Sequence, residues 1–138
     1  MDKINTDFLA RCLGALERSY TLLVQAPKDS VDYEMYRNSL VKSFEMTLEQ
    51  SGKLLRKKLT PYLASKKMAD ALTFKDLFRQ AGLHGLLDAD AIVRWLNYRD
   101  NRNDTAHDYG QNFAEQTLAL LPDFMRDARQ LKDILENG

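Results

Sequence analysis

At 138 residues, with 44% apolar and 29% charged side chains, the chain is expected to form one globular domain, residues 1–138, and the disordered and fibrous classes are excluded. Lysines plus arginines equal aspartates plus glutamates at 20 each, which excludes an overall charge that would attract nucleic acid or an anionic membrane. The single cysteine, Cys12, excludes an internal disulfide, and without a signal-like or membrane-length apolar run we expect a cytoplasmic protein with no membrane partner.

The first half of the chain predicts two helices separated by a proline. Apolar residues recur at every third or fourth position over residues 8–23, which is typical of an amphipathic helix, and Pro27 ends the pattern. The same periodicity resumes after Ser30, a residue type that caps helix N-termini, and should end near Thr60 and Pro61. The second helix is therefore the longer one, and we expect it to form the spine of the domain.

The second half of the chain begins with a short helix. Thr73, followed three residues later by Asp76, has the spacing of a capping box, and Gly82 and Gly85 mark the end of the helix. Asp88 is the expected N-cap of the next helix, which carries an apolar stripe and runs into a segment rich in arginine and asparagine. These signals predict one short helix and a third long one.

The last predicted helix starts near Asn112 and is lined by leucines and other apolar residues. Pro122 lies inside that pattern and is expected to bend the helix. No alternating pattern typical of β-strands competes with these helices, and connections this short favour antiparallel neighbours. The predicted fold class is therefore all-α: an up-and-down four-helix bundle with one additional short helix.

The apolar stripe of the third long helix turns polar before the helix ends. At about 100° per residue, Arg99 and Asn103 fall on the same face as the apolar Leu96. Arg102 and His107 flank that face on its two sides. A stripe that begins as a core-facing surface therefore continues as a charged one.

Two interpretations of this polar stripe remain open. Burying two guanidinium groups costs several kcal/mol unless each is paired, so the stripe should leave the core at this point. Either the helix end emerges at the rim of a cleft or against a partner surface, or Arg99 and Arg102 pair with carboxylates on an ordinary solvated helix end. Asp100, Asp104 and glutamates of other helices are the candidate carboxylates.

The residue types in this segment suit the cleavage of RNA without a metal ion. His107 has the side chain that takes and gives protons near neutral pH, and Arg102 presents a planar donor fork to phosphate. Asn103 is suited to holding either the histidine or the phosphate. With two histidines and one cysteine the chain offers no zinc spacing, so neither a metal nor a cofactor is expected.

Arg102 and His107 are separated by about 140° around a regular helix, which is too far for both to reach one phosphate without a bend. A second copy of the chain across a two-fold axis would supply the missing group, because two such segments would then face each other across one cleft. This spacing predicts a homodimer if the two residues act together.

Acidic and basic residues of the second helix are further candidates for a supporting role. Glu45 and Glu49 lie one turn apart and are either counter-charges for the arginines or part of the site. A basic run follows them, which fits either a solvated helix face or a surface that guides RNA by its phosphates. That run consists of Lys53, Arg56, Lys57 and Lys58, with Lys66 and Lys67 beyond.

Three groups of residues match one known family pattern. They are Phe44-Glu45 with Glu49, Lys53 and Leu54-Leu55 in the second helix, Phe78 to Ala81 followed by Gly85-Leu86 in the short helix, and Trp95-Leu96 leading to Arg102, Asn103, His107 and Tyr109. The pattern resembles that of the nucleotidyltransferase substrate-binding proteins of the HEPN superfamily and extends from about residue 6 to 136. One position departs from it, because the family usually has tryptophan where this chain has Gly52.

The resemblance implies an up-and-down bundle that forms a homodimer and pairs with a separate minimal nucleotidyltransferase subunit. In HEPN toxins of toxin-antitoxin pairs, the Arg-x4-His pair forms a metal-independent endoribonuclease site at the dimer cleft. Arg102 and His107 would take that role here, with Asn103 as the polar residue after the arginine. The nucleotidyltransferase of such pairs adenylylates the tyrosine of the His-x-Tyr motif, here Tyr109, and the anionic AMP groups would repel RNA.

Two other functions compete with the ribonuclease. The first is a non-catalytic subunit that holds nucleotide or another substrate for the nucleotidyltransferase, with Arg102 and Arg99 as a phosphate clamp. The second is a purely structural bundle whose polar stripe is an interface. RNA cleavage distinguishes the ribonuclease from both, and nucleotide binding distinguishes the substrate-binding subunit from the structural bundle.

Overall fold

The computed structural model describes residues 4–105 and 111–137, with side chains described for 4–102 and 115–137. His107 and Tyr109 lie outside these residues, and the side chain of Asn103 lies outside them as well. Six α-helices account for most of the described chain. They are α1 (Asp7–Gln25), α2 (Val31–Leu59), α3 (Lys66–Ala71), α4 (Phe74–Leu83), α5 (Ala89–Thr105) and α6 (Gln111–Glu136), with a 3-10 turn at Thr60–Tyr62.

Side-chain caps start three of the helices where the sequence predicts them. The Ser30 hydroxyl accepts a hydrogen bond from a backbone N–H in the first turn of α2, at 3.1 Å. Thr73 and Asp76 form the predicted capping box of α4, each accepting from the backbone N–H of the other. Asp88 accepts from the backbone N–H of Ala91 at 2.8 Å and begins α5. These bonds satisfy amide groups that the first turn of a helix leaves without partners.

The structure adds a second short helix, α3, to the one that the sequence predicts. The Ser65 hydroxyl caps it by accepting from the backbone N–H of Met68 at 3.1 Å. At its other end, the guanidinium of Arg56 donates to the carbonyl oxygens of Ala69 and Leu72. Six residues are too few to show a helical period, so this helix depends on its caps and on packing against α2.

The long helices run alternately up and down. Helices α1 and α2 are joined by five residues and contact each other through Ser19 and Ser39, whose hydroxyls are 2.8 Å apart. Contacts between the remaining neighbours pair the beginning of one helix with the end of the other. These pairs are Thr6 with Glu136 and Glu17 with Arg129 between α1 and α6, and Arg94 with Asp127 and Asn101 with Thr117 between α5 and α6. The predicted all-α bundle is confirmed.

Aromatic rings occupy the centre of the bundle between α2, α4, α5 and α6. Phe44 and Phe124 meet edge to face with ring centroids 4.7 Å apart, and Phe78 stacks on Trp95 at 4.9 Å. Tyr98 meets Phe124 edge to face at 5.0 Å. All five side chains are buried, and geometry of this kind adds to the hydrophobic stabilisation of their burial. Helix α4 thus packs against both α2 and α5 at the base of the polar stripe.

Helix α6 begins at Gln111, one residue before the predicted start, and contains Pro122 as predicted. The Pro122 side chain is exposed, on the outer face of the helix. The bend expected there stays a prediction. Among the described residues, none of the helices is both long enough and apolar enough to cross a membrane.

Candidate functional site

The apolar stripe of α5 leaves the core at the residues where the sequence turns polar. Trp95 and Tyr98 are buried, whereas Arg99, Asn101 and Arg102 are each partly exposed. The guanidinium groups therefore lie at the margin of the core, and neither arginine is enclosed in it.

Arg99 lies over the ring of Phe74, and Gly52 leaves the space that this ring occupies. Its guanidinium carbon is 5.0 Å from the centre of the Phe74 ring, in the first turn of α4. Phe74 in turn covers Gly52 of α2, where an added Cβ would lie 3.0 Å from a ring carbon. A planar cation over an aromatic face is attracted by the ring quadrupole. The glycine that departs from the family pattern therefore has a structural reason, because Phe74 occupies the space that a larger side chain would take.

Arg99 has a like charge and an opposite charge nearby. Its pKa is lowered, first by partial burial and then by the positive charge of Arg102, while Glu49 opposes the shift. Asp100, a carboxylate that the sequence offered as a partner, instead pairs with Lys75 at 3.4 Å. Among the described residues Arg99 has no salt bridge. An anion beside Arg99 would offset both its partial burial and the repulsion from Arg102.

The structure brings together only some of the residues that the sequence singles out. Arg99, Arg102 and Glu49 are close enough to influence one another electrostatically. Glu45 lies one turn before Glu49 on α2 and is half-buried. Because His107 and the side chain of Asn103 lie outside the described residues, their approach to Arg102 stays a prediction.

A polar cluster between α5 and α6, formed just before Arg99 along α5, was not predicted from the sequence. The Asp127 carboxylate of α6 is 1% exposed and accepts two hydrogen bonds from Arg94, at 2.8 and 2.9 Å, and one from the Tyr98 hydroxyl. Burial, together with the hydrogen bond to Asp127, raises the pKa of Tyr98. The bidentate bond holds the arginine-bearing helix against α6. The only sequence signal was an aspartate within the apolar pattern of the last helix.

A second tether holds α5 to α6 closer to the end of the stripe. The amide of Asn101 donates to the Thr117 hydroxyl at 3.2 Å, and Thr117 is fully buried. Polar contacts therefore anchor α5 on either side of Arg99. They fix the side of α5 that faces α6 and leave the face bearing Arg99 to α2, α4 and solvent.

The chain is similar to one protein family over nearly its whole length. The model of the family described as "Nucleotidyltransferase substrate binding protein like" matches residues 11–137. Among characterised sequences, the chain is 27% identical over 138 residues to a Haemophilus influenzae protein named "Probable ribonuclease HepT". The match covers 97% of this chain and 93% of that relative.

Two solved structures share the fold. A Haemophilus influenzae structure, described as revealing the fold of a substrate binding domain of a nucleotidyltransferase, superposes with a TM-score of 0.82 at 26% identity, over 95% of this chain and 98% of the other. A Thermus thermophilus protein superposes with a TM-score of 0.70 at 26% identity, over 94% and 99% of the two chains. These values show the same helical arrangement in all three proteins.

Proposed function

The chain belongs to the family of nucleotidyltransferase substrate binding proteins, as its sequence pattern predicted, and from this premise we propose that it is the toxin of a two-gene toxin-antitoxin pair. In this proposal the toxin is a metal-independent endoribonuclease. The similarity to a probable ribonuclease supports the reaction, and the arginine pair on the open face of α5 is the structural observation that supports it most. Two adjacent guanidinium groups can bind an RNA phosphate and stabilise the additional negative charge that develops on it during cleavage.

The proposed reaction divides its work between Arg102 and His107. The RNA 2′-hydroxyl oxygen attacks the adjacent phosphorus, and the bond from phosphorus to the 5′-oxygen breaks. His107 accepts the proton of the attacking hydroxyl, and a second histidine or water donates one to the leaving oxygen. Arg102, with Arg99 beside it, stabilises the negative charge that develops on the phosphoryl oxygens. Asn103 holds the histidine or the phosphate.

A homodimer completes the site in this proposal. On a regular helix Arg102 and His107 point about 140° apart, so one copy alone does not bring both to the same phosphate. A two-fold axis would place the segment of one copy opposite that of its partner. The two histidines would then act as base and acid on the same phosphate.

The proposed silencing reaction modifies Tyr109. A separate minimal nucleotidyltransferase would use ATP, whose α-phosphorus is attacked by the phenolic oxygen of Tyr109 as the bond to pyrophosphate breaks. The phenolic proton passes to a base of the transferase. The AMP group would add negative charge, which would compete with RNA for the arginines. The family description, which names a substrate binding protein of a nucleotidyltransferase, supports such a partner.

The test is cleavage of tRNA or mRNA by the purified full-length chain in the presence of a metal chelator. We expect cleavage by the wild type and a loss of about 100-fold to 10,000-fold in His107→Ala, the usual range for a proton-transfer group. In Arg102→Ala we expect a loss of about 100-fold to 1,000-fold, the usual range for a group that stabilises transition-state charge. Arg126→Ala is the matched control, because Arg126 is an exposed arginine of α6 paired with Asp123 in its own helix. Cleavage that survives His107→Ala would refute the site assignment.

The second candidate is a non-catalytic subunit that presents nucleotide or another substrate to the transferase. The arginine pair beside the Phe74 ring favours it, since a phosphate and a base could be held there without reaction. The related fold described as a substrate binding domain also supports it. Nucleotide binding by calorimetry, together with increased transferase activity in the pair and no RNA cleavage, would establish this function in place of the ribonuclease.

A further inference from the structure

The positive charge of this neutral protein is concentrated in one segment. Residues 50–69 contain six lysines and arginines and no aspartate or glutamate, which leaves 14 basic against 20 acidic residues in the rest of the chain. The segment covers the end of α2, the 3-10 turn and the start of α3. A local field of this kind attracts polyanions even when the net charge is zero.

Four of the six basic side chains are exposed and take part in no salt bridge within the described part of the chain. Arg56 is used to cap α3, and Lys58 is half-buried. The other four form no ion pair among the described residues, whereas Lys75 and Lys132 each pair with a carboxylate. We call these four the lysine face: Lys53, Lys57, Lys66 and Lys67.

Ordinary helix electrostatics account for only part of the lysine face. Lys57 lies in the last turn of α2, where a cation is favourable, but Lys53 lies outside that turn. Lys66 and Lys67 are the first two residues of α3, where the helix dipole disfavours positive charge. Asp70, one turn further along α3, forms no ion pair with either lysine. Residues that oppose a local preference in this way point to a role in binding.

Two residues of the lysine face lie on the same side of α2 as Glu49. Lys53 and Lys57 are one turn apart on α2 and continue the face that begins at Glu49, which influences Arg99. Lys53 also directly follows Gly52, the residue covered by Phe74. From Glu49 to Lys57 the helix rises about 12 Å, a distance that a short oligonucleotide spans.

An exposed aromatic pair includes a residue of the same basic segment. Tyr62, in the 3-10 turn, is 52% exposed and stacks on His84 with ring centroids 4.7 Å apart and an interplanar angle of 30°. Its sequence position lies between the two lysine pairs, after Lys57 and before Lys66. Aromatic rings beside a basic groove are the usual platform for unpaired bases.

We propose that the lysine face and Tyr62 bind single-stranded RNA and lead the strand to Arg99 and Arg102. This inference rests on the proposed function for its ligand. Lysines would contact successive phosphates and the Tyr62 ring would stack on a base, so the surface favours unpaired over duplex RNA.

The first experiment measures binding of a 12-nucleotide single-stranded RNA by fluorescence anisotropy over a series of salt concentrations. The RNA carries 2′-O-methyl groups, which remove the attacking hydroxyl and prevent cleavage. We expect the Lys53→Gln/Lys57→Gln variant to bind on the order of tenfold more weakly. The slope of log affinity against log salt should fall by about 1.4, the value for two phosphate contacts on a single strand. The Lys66→Gln/Lys67→Gln variant should behave in the same way.

The matched control is Lys28→Gln/Lys42→Gln. It changes the net charge by the same amount at exposed positions outside the basic segment, and it should keep the wild-type affinity and slope. An equal loss in this control would overturn the inference, because the effect would then be one of net charge. Stronger binding of a duplex than of the single strand, or binding of anionic vesicles but not RNA, would overturn it too.

The aromatic platform is tested by a pair of variants at Tyr62. Tyr62→Ala should weaken binding of the 12-mer roughly fivefold or more, while Tyr62→Phe should keep it, because stacking needs the ring and not the hydroxyl. Equal affinity of the two variants would exclude the platform. Their folding can be compared by circular dichroism.

A dinucleotide separates this inference from the proposed function. Dinucleotide binding should be unaffected by the lysine substitutions, since so short a ligand reaches only the arginine pair. If the wild type cleaves RNA and the lysine variants bind the 12-mer normally, the lysine face is wrong and the ribonuclease stands. If the wild type does not cleave but the lysine variants lose 12-mer binding, the ribonuclease is wrong and the RNA-binding surface stands.

Discussion

Two arginines of α5, little more than one turn apart, have opposite surroundings. Arg94 meets a buried carboxylate in bidentate geometry, and the Tyr98 hydroxyl donates to the same Asp127 group. Arg99 lies over Phe74, close to a second guanidinium, and has no carboxylate bonded to it in the described part of the chain. An arginine that is hydrogen-bonded to a buried carboxylate holds two helices together. An arginine that lies beside a like charge would instead be stabilised by an anion from outside the chain.

The largest expected effect comes from removing the buried carboxylate of Asp127, which distinguishes Arg94 from Arg99. Asp127→Ala leaves the charge of Arg94 and the Tyr98 hydroxyl without their partner, so we expect a loss of about 3 kcal/mol in the free energy of unfolding. Urea denaturation measures it. Asp123→Ala is the control, since its exposed pair with Arg126 within α6 should contribute under about 1 kcal/mol. Equal losses in the two variants would mean that the buried cluster does not anchor α5.

A smaller change removes only the hydroxyl of the cluster. Tyr98→Phe should lower the free energy of unfolding by roughly 1–2 kcal/mol, because the Asp127 carboxylate loses one hydrogen-bond donor while the aromatic ring stays packed. The measurement is urea denaturation at pH 8.

The same variant tests a pH dependence with a definite sign. Folding raises the pKa of Tyr98 above its ordinary value of 10.0. Above about pH 10 the Tyr98 hydroxyl is therefore ionised in the unfolded chain while it is still protonated in the folded protein. The stabilisation from neutral Tyr98 is therefore complete below pH 10 and declines above it, by up to about 1.4 kcal/mol per pH unit. The stability gap between wild type and Tyr98→Phe should narrow from pH 10 to pH 11, and a constant gap would contradict the assignment.

The packing under Arg99 is tested by comparing two helical glycines. Gly14→Ala has nothing within 4 Å of the added Cβ and should stabilise α1 by about 1 kcal/mol, the ordinary helix preference for alanine. Gly52→Ala should lose that gain, because its Cβ meets the Phe74 ring at 3.0 Å. It should also weaken dinucleotide binding several-fold by displacing Phe74 and Arg99. Equal stabilisation and unchanged binding in both variants would show that Phe74 does not position the arginine.

The smallest expected effect on stability is at Arg99 itself. Arg99→Met keeps an unbranched side chain over Phe74 and removes the repulsion from Arg102. The free energy of unfolding should therefore change by less than about 0.5 kcal/mol. Dinucleotide binding should nevertheless fall. A loss of stability like that of Asp127→Ala would place Arg99 among the structural residues and remove the contrast between the two arginines.

Local signals account for most of what could be predicted. Ser30, Thr73 and Asp88 were expected to cap helices, and all three do so, because a cap needs only residues within one turn. The position at which the α5 stripe turns polar was also predicted, since a helical period fixes which residues share a face. Helix α3 escaped prediction because it is too short to display that period.

The sequence alone was enough to predict every helix except α3, the alternating bundle and the family, because periodicity, capping and motifs are properties of residues close together in the chain. Only the tertiary structure decided that Asp127 belongs to Arg94 and Tyr98, and that Phe74 fills the space above Gly52 and underlies Arg99. These pairings join residues more than 20 positions apart, and the energy of a charge or a ring depends on which distant groups surround it. That dependence makes Arg94 part of the fold, and it leaves Arg99 without a bonded carboxylate in the part of the chain that the structure describes.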